Sequence, residues 1–244
     1  MADSNGHRLA LRPANSGDLR QVLGWLKTEG SGFWNNRQQI EDGARDGDLT
    51  VAIKEDFGVI GFLLGSDSGL AILEVRQKFR RTGIGRALAE HGLRRIEEKG
   101  RIGVKIQCKP TTSVPFWEHM GFSPTEETSC CVYYAHAFPK VFALPPERPV
   151  HKVSVELRRE LDHTPIVPGR FDRYAAEVEA GRLLVNERIT GYCGSGDAIV
   201  RVLVGERIVS ERKAKYSGDV GVRYEDQFVQ IDEIRFASLS GASV

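Results

Sequence analysis

The stretch Val75-Arg76-Gln77-Lys78-Phe79-Arg80-Arg81-Thr82-Gly83-Ile84-Gly85 decides the fold. It lies between an apolar run, Leu70 to Val75, and a segment whose apolar and small residues recur at helical spacing. Gly85, Leu88, Ala89, Gly92, Leu93 and Ile96 stand at i, i+3, i+4, i+7, i+8 and i+11, which predicts an amphipathic helix reaching Lys99. The start of a helix leaves unpaired amides facing outward, and its dipole favours negative charge. Gly83 and Gly85 remove side chains so that a diphosphate can approach the backbone, while Lys78, Arg80, Arg81 and Arg86 add positive charge. The stretch therefore predicts an anion site for a phosphate-bearing ligand.

Upstream, Leu9 to Arg12 reads as a strand, and Pro13, Ser16 and Asp18 as a turn and helix cap. The amphipathic helix that follows carries Leu19, Val22, Leu23 and Leu26, and a second helix is predicted over Asn35 to Arg45. Leu49 to Lys54, Val59 to Gly65 and Leu70 to Val75 form an antiparallel meander separated by turn-forming residues. Downstream, Ile102, Val104 and Ile106 alternate with Gly103, Lys105 and Gln107, so strand, helix and strand imply a right-handed parallel crossover. A short helix follows with Ser113 as cap, Pro115 in its first turn and Gly121 past its end, then a strand from Cys131 to Ala135.

Two familiar phosphate loops are excluded. No Gly-Lys pair occurs in the chain, so the ATP-binding loop fails; Leu88 stands where the dinucleotide fingerprint needs a small residue, and Lys109 where it needs an acid. What does fit resembles the Gcn5-related N-acetyltransferase (GNAT) superfamily, whose cofactor loop reads Arg/Gln-x-x-Gly-x-Gly/Ala. Arg80, Gly83 and Gly85 occupy those places. Roughly 30 residues on, Phe116-Trp117-Glu118-His119-Met120-Gly121-Phe122 looks like the family's second signature, an aromatic pair, a short helix and Gly-Phe. The resemblance spans about Arg8 to Ala135. It implies a mixed, mainly antiparallel α/β fold with a twisted sheet flanked by helices, and acetyl-coenzyme A as cosubstrate with no metal.

Carried onto this chain, the resemblance assigns Arg80, Arg81, Thr82, Gly83, Ile84, Gly85 and Arg86 to the diphosphate, and Leu73, Val75, Phe116 and Trp117 to the remainder of the cofactor. It implies direct attack of an amine on the thioester. A lysine-like amine with a pKa of about 10.4 must lose a proton and a thiolate of about 8.5 must gain one. Glu74, the one carboxylate in its apolar strand, is the candidate base; a carboxylate ion-paired at the strand edge is the alternative. The family often places a tyrosine acid where this chain has Trp117, and indole cannot protonate a thiolate. Pro110 stands where an asparagine is frequent. Tyr133, Tyr134 and His119 are substitute acids, with water as a further route, and Cys108 reads as packing more readily than as a nucleophile.

Pro139, Pro145, Pro146 and Pro149 mark a boundary, giving a first domain over residues 1–144 and a smaller β-rich domain over 145–244. In the second, Val153 to Leu157, Leu183 to Ile189, Ala198 to Val204, Arg207 to Arg212, Val220 to Tyr224 and Phe228 to Phe236 read as strands, and Phe171 to Ala180 as a single helix. Tyr192 to Asp197 reads as a turn, and the basic run Arg207, Arg212, Lys213 and Lys215 as a solvated strand face, because Glu206 and Glu211 interleave. Substrate recognition and homodimer formation are both open for this domain.

With 34 Lys+Arg against 33 Asp+Glu, net charge predicts no attraction to nucleic acid or membrane. Met1 to Arg8 has no apolar core and no run is long enough to span a bilayer, so a cytoplasmic location is expected. Cys130 and Cys131 are neighbours that would point to opposite faces of a strand, so reduced thiols are expected, and Ser238 to Val244 is expected to fray. The leading expectation is an acetyl-CoA-dependent N-acetyltransferase acting on a small-molecule or macromolecular amine. The alternative is a non-catalytic acyl-CoA-binding sensor or scaffold acting through the second domain.

Overall fold

The computed structural model describes residues 9–127 and 132–236. Cys130, Cys131, Met1 to Arg8 and Ser238 to Val244, for which expectations were given above, lie outside the described residues. The chain divides into two compact units between Gly121 and Phe122. The proline-rich segment falls in the second unit.

In the first unit, β1 (Leu9–Pro13) leads into α1 (Ser16–Thr28). The cap of α1 is Asn15 rather than Ser16: its side chain accepts from Gly17 N and Asp18 N, and Asp18 returns a carboxylate oxygen to Asn15 N at 2.8 Å. This reciprocal box satisfies amides that the helix leaves open, worth about 1 kcal/mol. Arg12 holds the same buried Asp18 at 2.6 Å. Although burial works to raise the Asp18 pKa, its bonds to Arg12 and Asn15 bring it below the usual carboxylate value. A short 3-10 turn (Gly32–Asn36) precedes α2 (Arg37–Asp46).

The meander appears as expected: β2 (Leu49–Lys54), β3 (Gly58–Ser66) and β4 (Gly69–Val75) pair antiparallel, with β1 added outside β2. β3 serves two cores because its side chains alternate between faces, with a bulge at Ile60, opposite Ala52 and Ile53, turning that side chain to the face of Leu63. Phe62 and Leu64 pack with Val22, Trp25, Leu26 and Ile40 of α1 and α2. Ile60 and Leu63 pack with Val75 and with Ile84 and Leu88 of the next helix, α3 (Ile84–Glu98). Each fully buried aliphatic side chain contributes about 1.5–3 kcal/mol, so helices on both faces fix the strand register. β5 (Gly103–Cys108) comes to lie beside β4 after α3, yet β4 remains the end of its four-stranded ladder and the two do not pair. α4 (Val114–His119) then begins with Pro115 in its first turn and Ser113 before it.

The second unit opens with a hairpin of β6 (Ser123–Glu127) and β7 (Val132–Ala137). Its main body is one antiparallel sheet. β8 (Val150–Arg158), β9 (Pro165–Glu179), β10 (Arg182–Tyr192), β11 (Ile199–Val204), β12 (Arg207–Lys213), β13 (Val222–Glu225) and β14 (Phe228–Arg235) lie in the order β12-β11-β8-β9-β10-β14-β13. Val155, Leu157, Val185, Val202, Val222 and Ile231 share one core. β10 is irregular between Leu184 and Ile189, where Phe142 N donates to Asn186 O at 2.8 Å and Arg188 N to Lys140 O at 2.7 Å.

The helix expected over Phe171 to Ala180 is instead most of β9. Its alanines and glutamates favour a helix locally, but β9 pairs with β8 on one side and β10 on the other, and Ala175 and Ala176 are fully buried there. Two ladders outweigh a propensity difference of a few tenths of a kcal/mol per residue. Gly181, with φ +74°, makes the β9–β10 turn. Among the described residues, no helix is long and apolar enough to cross a membrane.

Candidate acyl-donor site

The loop between β4 and α3 is built for tight backbone geometry. Two residues in three are left-handed, Arg81 with φ +64° and Gly83 with φ +86°. Gly83 is the N-cap of α3 and no side chain caps that end. A glycine takes this conformation freely, whereas at Arg81 it costs about 1–2 kcal/mol, the kind of strain retained at binding loops. Replacing Arg81 with glycine is expected to raise the thermal midpoint slightly by relieving this strain. A thermal shift measurement checks this, and an unchanged or lowered midpoint would mean that the loop holds no strain at Arg81.

Gly85 is half-buried in the first turn of the helix. A Cβ there would sit 3.7 Å from Leu73, Val75 and Phe116, so this glycine gathers the end of β4 and the start of α4 around the loop, with room for alanine. Phe116 stands edge-on to Trp117, centroids 4.9 Å apart, and Trp117 is buried. The expected loop side chains differ in how far they are committed. Thr82 Oγ1 donates to Phe79 O at 2.6 Å, and Arg86 is held by Glu90 at 2.7 Å. Arg81 has no ion pair among the described residues.

Glu74 lies on β4 opposite Phe62, on the sheet face that packs against α1 and α2. Leu73 and Val75 occupy the opposite face, with α3. The Glu74 side chain is 12% exposed and accepts from Arg80 Nη2 at 2.7 Å, while Arg80 Nε donates to Val75 O at 3.0 Å. The Glu74 carboxylate is thus largely buried and ion-paired to Arg80. Burial pushes its pKa above the usual glutamate value, and the Arg80 guanidinium offsets only part of that.

Two residues at this end of β4 carried no signal in the sequence. Glu29, the C-cap of α1, accepts from Arg76 Nε and from Gln77 N, each at 3.0 Å. Burial works to raise the Glu29 pKa, but the Gln77 amide and the Arg76 guanidinium hold it below the usual value. A partner 47 residues away has no local pattern to betray it.

Tyr133 and Tyr134 lie in β7 of the second unit, where Tyr134 is buried and Thr125 Oγ1 donates to Tyr133 O at 3.2 Å. Cys108, ending β5, is a buried free thiol whose pKa burial raises, so it is a poor nucleophile. His119 is exposed at the end of α4. Among the described residues, no group of His, Cys, Asp and Glu is arranged to hold a metal.

In the second unit, a groove of about 710 Å³ is lined by Arg182, Arg207, Arg212 and Arg235 among others. Arg182 is paired with Glu179 at 3.0 Å and Arg212 with Asp219 at 2.6 Å. Lys213 and Lys215 are likewise held by Asp197. Arg212, Lys213 and Lys215 of the basic run thus have acidic partners, although not the interleaved glutamates, since Glu211 pairs with Arg201 instead.

No curated protein matches the chain by sequence. Solved structures do match in part. An acetyltransferase of the GNAT family from Listeria monocytogenes aligns at 15% identity and a TM-score of 0.46, covering 57% of this chain and 98% of its own. The PaiA N-acetyltransferase from Thermoplasma acidophilum, solved with coenzyme A, aligns at 14% identity and a TM-score of 0.42, covering 54% and 99%. By sequence, it is the family described as the acetyltransferase (GNAT) domain whose model this chain matches, over residues 33–133, a span that holds β4, the glycine loop, α3, β5 and α4.

Proposed function

We propose that this chain is an acetyl-CoA-dependent N-acetyltransferase, its donor site built by residues of the first 144. The observation that carries the reading is the uncapped, glycine-led start of α3 after β4, with Arg80, Arg81 and Arg86 within three residues of Gly83 in the sequence. Its fit to coenzyme A is chemical: open amides and guanidinium groups suit a diphosphate, and Leu73, Val75, Gly85 and Phe116 offer an apolar neighbour for a pantetheine chain. Arg80, Arg81, Thr82, Gly83, Ile84, Gly85 and Arg86 are the proposed diphosphate ligands, with Leu73, Val75, Phe116 and Trp117 along the remainder.

Acetyl-CoA supplies an electrophilic thioester carbon; the amine nitrogen bonds to it, the carbon–sulfur bond breaks, and the thiolate leaves. Glu74 is the proposed acceptor of the proton that the amine gives up, its raised pKa bringing it closer to the operating pH. Tyr133 or Tyr134 is the proposed donor to the departing sulfur. The acceptor is an amine, small or macromolecular, and the β-rich domain over 145–244 is proposed to recognise it or to pair two copies of the chain.

Trp117 favours one other reading. Buried and without an acidic hydroxyl, it leaves the family's usual proton donor missing, as in a protein that binds acyl-CoA without turning it over. Thiol release from acetyl-CoA across a panel of amines, run beside calorimetry of coenzyme A binding, separates the two. The enzyme reading expects binding and release; binding with no release on any amine points to a sensor, and no binding removes both.

A further inference from the structure

Resting on the acyl-CoA reading above, we propose that Arg80 is a positioning residue shared between the Glu74 carboxylate and the donor's diphosphate, so that coenzyme A binding draws the guanidinium away and leaves Glu74 without its counter-charge. The donor would then switch on the base.

The two ends of this ion pair are unequal. The Glu74 side chain is 12% exposed and set in a strand between two cores, so it cannot follow a departing partner; the Arg80 side chain is 56% exposed and rooted in a loop. Arg80 stands three residues before Gly83, and among the described residues two of its donor atoms are engaged, by Val75 O and by Glu74 Oε1. A solvent-facing guanidinium loses little on leaving one carboxylate for a doubly charged diphosphate reached through two parallel hydrogen bonds.

The charged groups acting on Glu74 are Arg80, which favours its ionised form, and Glu29, which opposes it. Arg76 cannot substitute, because its Nε is already committed to Glu29. Once Arg80 leaves, the backbone hydrogen bond from Val75 is left to offset burial and the Glu29 charge, so the Glu74 pKa rises further, and Glu74 takes up a proton at mildly acidic pH or becomes a stronger base at neutral pH. Free coenzyme A, which has no acyl group to transfer, is enough to show this.

Calorimetry of coenzyme A binding to the full chain at mildly acidic pH, in two buffers of different ionisation enthalpy, reads the proton directly. The native protein is expected to take up a fraction of a proton per coenzyme A bound. Glu74→Gln should abolish that uptake and bind coenzyme A about two- to fivefold tighter, since no ion pair need be broken. Arg80→Ala should bind about tenfold weaker with no uptake, and Arg80→Lys should recover part of both. Binding without proton uptake, at an affinity that Glu74→Gln leaves unchanged, would overturn the shared-arginine proposal and leave the acyl-CoA reading intact. Absence of any binding by the native chain would overturn both.

Discussion

Glu74→Gln is expected to lower turnover of an amine acceptor at neutral pH by about 10²–10⁴-fold, the usual worth of a positioned proton acceptor. The substitution keeps the volume and a hydrogen bond to Arg80, and the guanidinium it releases from its charge faces solvent, so the sheet should fold as before. The sign of the pH effect follows from burial. The Glu74 pKa lies above its ordinary value, chiefly through desolvation, and only the ionised form accepts a proton. Native activity should therefore rise as pH increases through that raised pKa and then level off. In the variant the amine must lose its proton to solvent, so activity should keep climbing toward the amine's own pKa of about 10.4. Rate profiles for both proteins, with KM separated from kcat, are the check. Identical profiles would leave Glu74 a structural ion-pair partner and nothing more.

How much of this was legible beforehand depended on whether a residue's partner lies near it in sequence. The glycine loop was legible because strand, punctuation and amphipathic helix follow one another without interruption, and α3 runs from Ile84 to Glu98 much as its apolar spacing demanded. The meander was legible because each turn carries its own glycine or aspartate. Glu74 could be nominated from its lone charge in an apolar strand, and Arg80 from the loop pattern. Their pairing could not, since it needs the chain to turn back at Arg76, where a 3-10 turn (Gln77–Phe79) begins.

Glu29 and Arg76 were invisible for the stronger reason that nothing local ties residues so far apart. β9 misled because alanine and glutamate promote helix only when no ladder competes; the Ala180-Gly181 pair was the hairpin signal that outranked them. β6 escaped because Ser123 to Glu127 contains Pro124 and no alternating apolar pattern, and pairing with β7 makes it a strand.

Gly221→Ala should be the most destabilising single-methyl change in the second unit. Gly221 has φ +90°, and a Cβ on it would lie 2.0 Å from Glu233 O, a backbone atom of β14 that is fixed by pairing with β10. A flexible side chain could swing aside, but a carbonyl in a ladder cannot, so either the turn before β13 must open or the end of β14 must shift. Left-handed strain costs about 1–2 kcal/mol and the forced overlap about 1–3 more. The sum, about 2–5 kcal/mol, corresponds to a fall in midpoint on the order of 10 °C for a unit of this size.

Gly205→Ala supplies the contrast. That glycine also has positive φ, at +61°, but a Cβ there meets nothing within 4 Å, so only the conformational cost of about 1–2 kcal/mol applies. The chain provides its own reporters, because all three tryptophans, Trp25, Trp34 and Trp117, lie in the first unit and all six tyrosines in the second. Thermal unfolding followed by tyrosine near-UV circular dichroism should show the large loss for Gly221→Ala and a small one for Gly205→Ala. Equal losses in the two variants would mean that β14 yields to the added methyl, and that the close approach of Gly221 to Glu233 does not hold this end of the sheet.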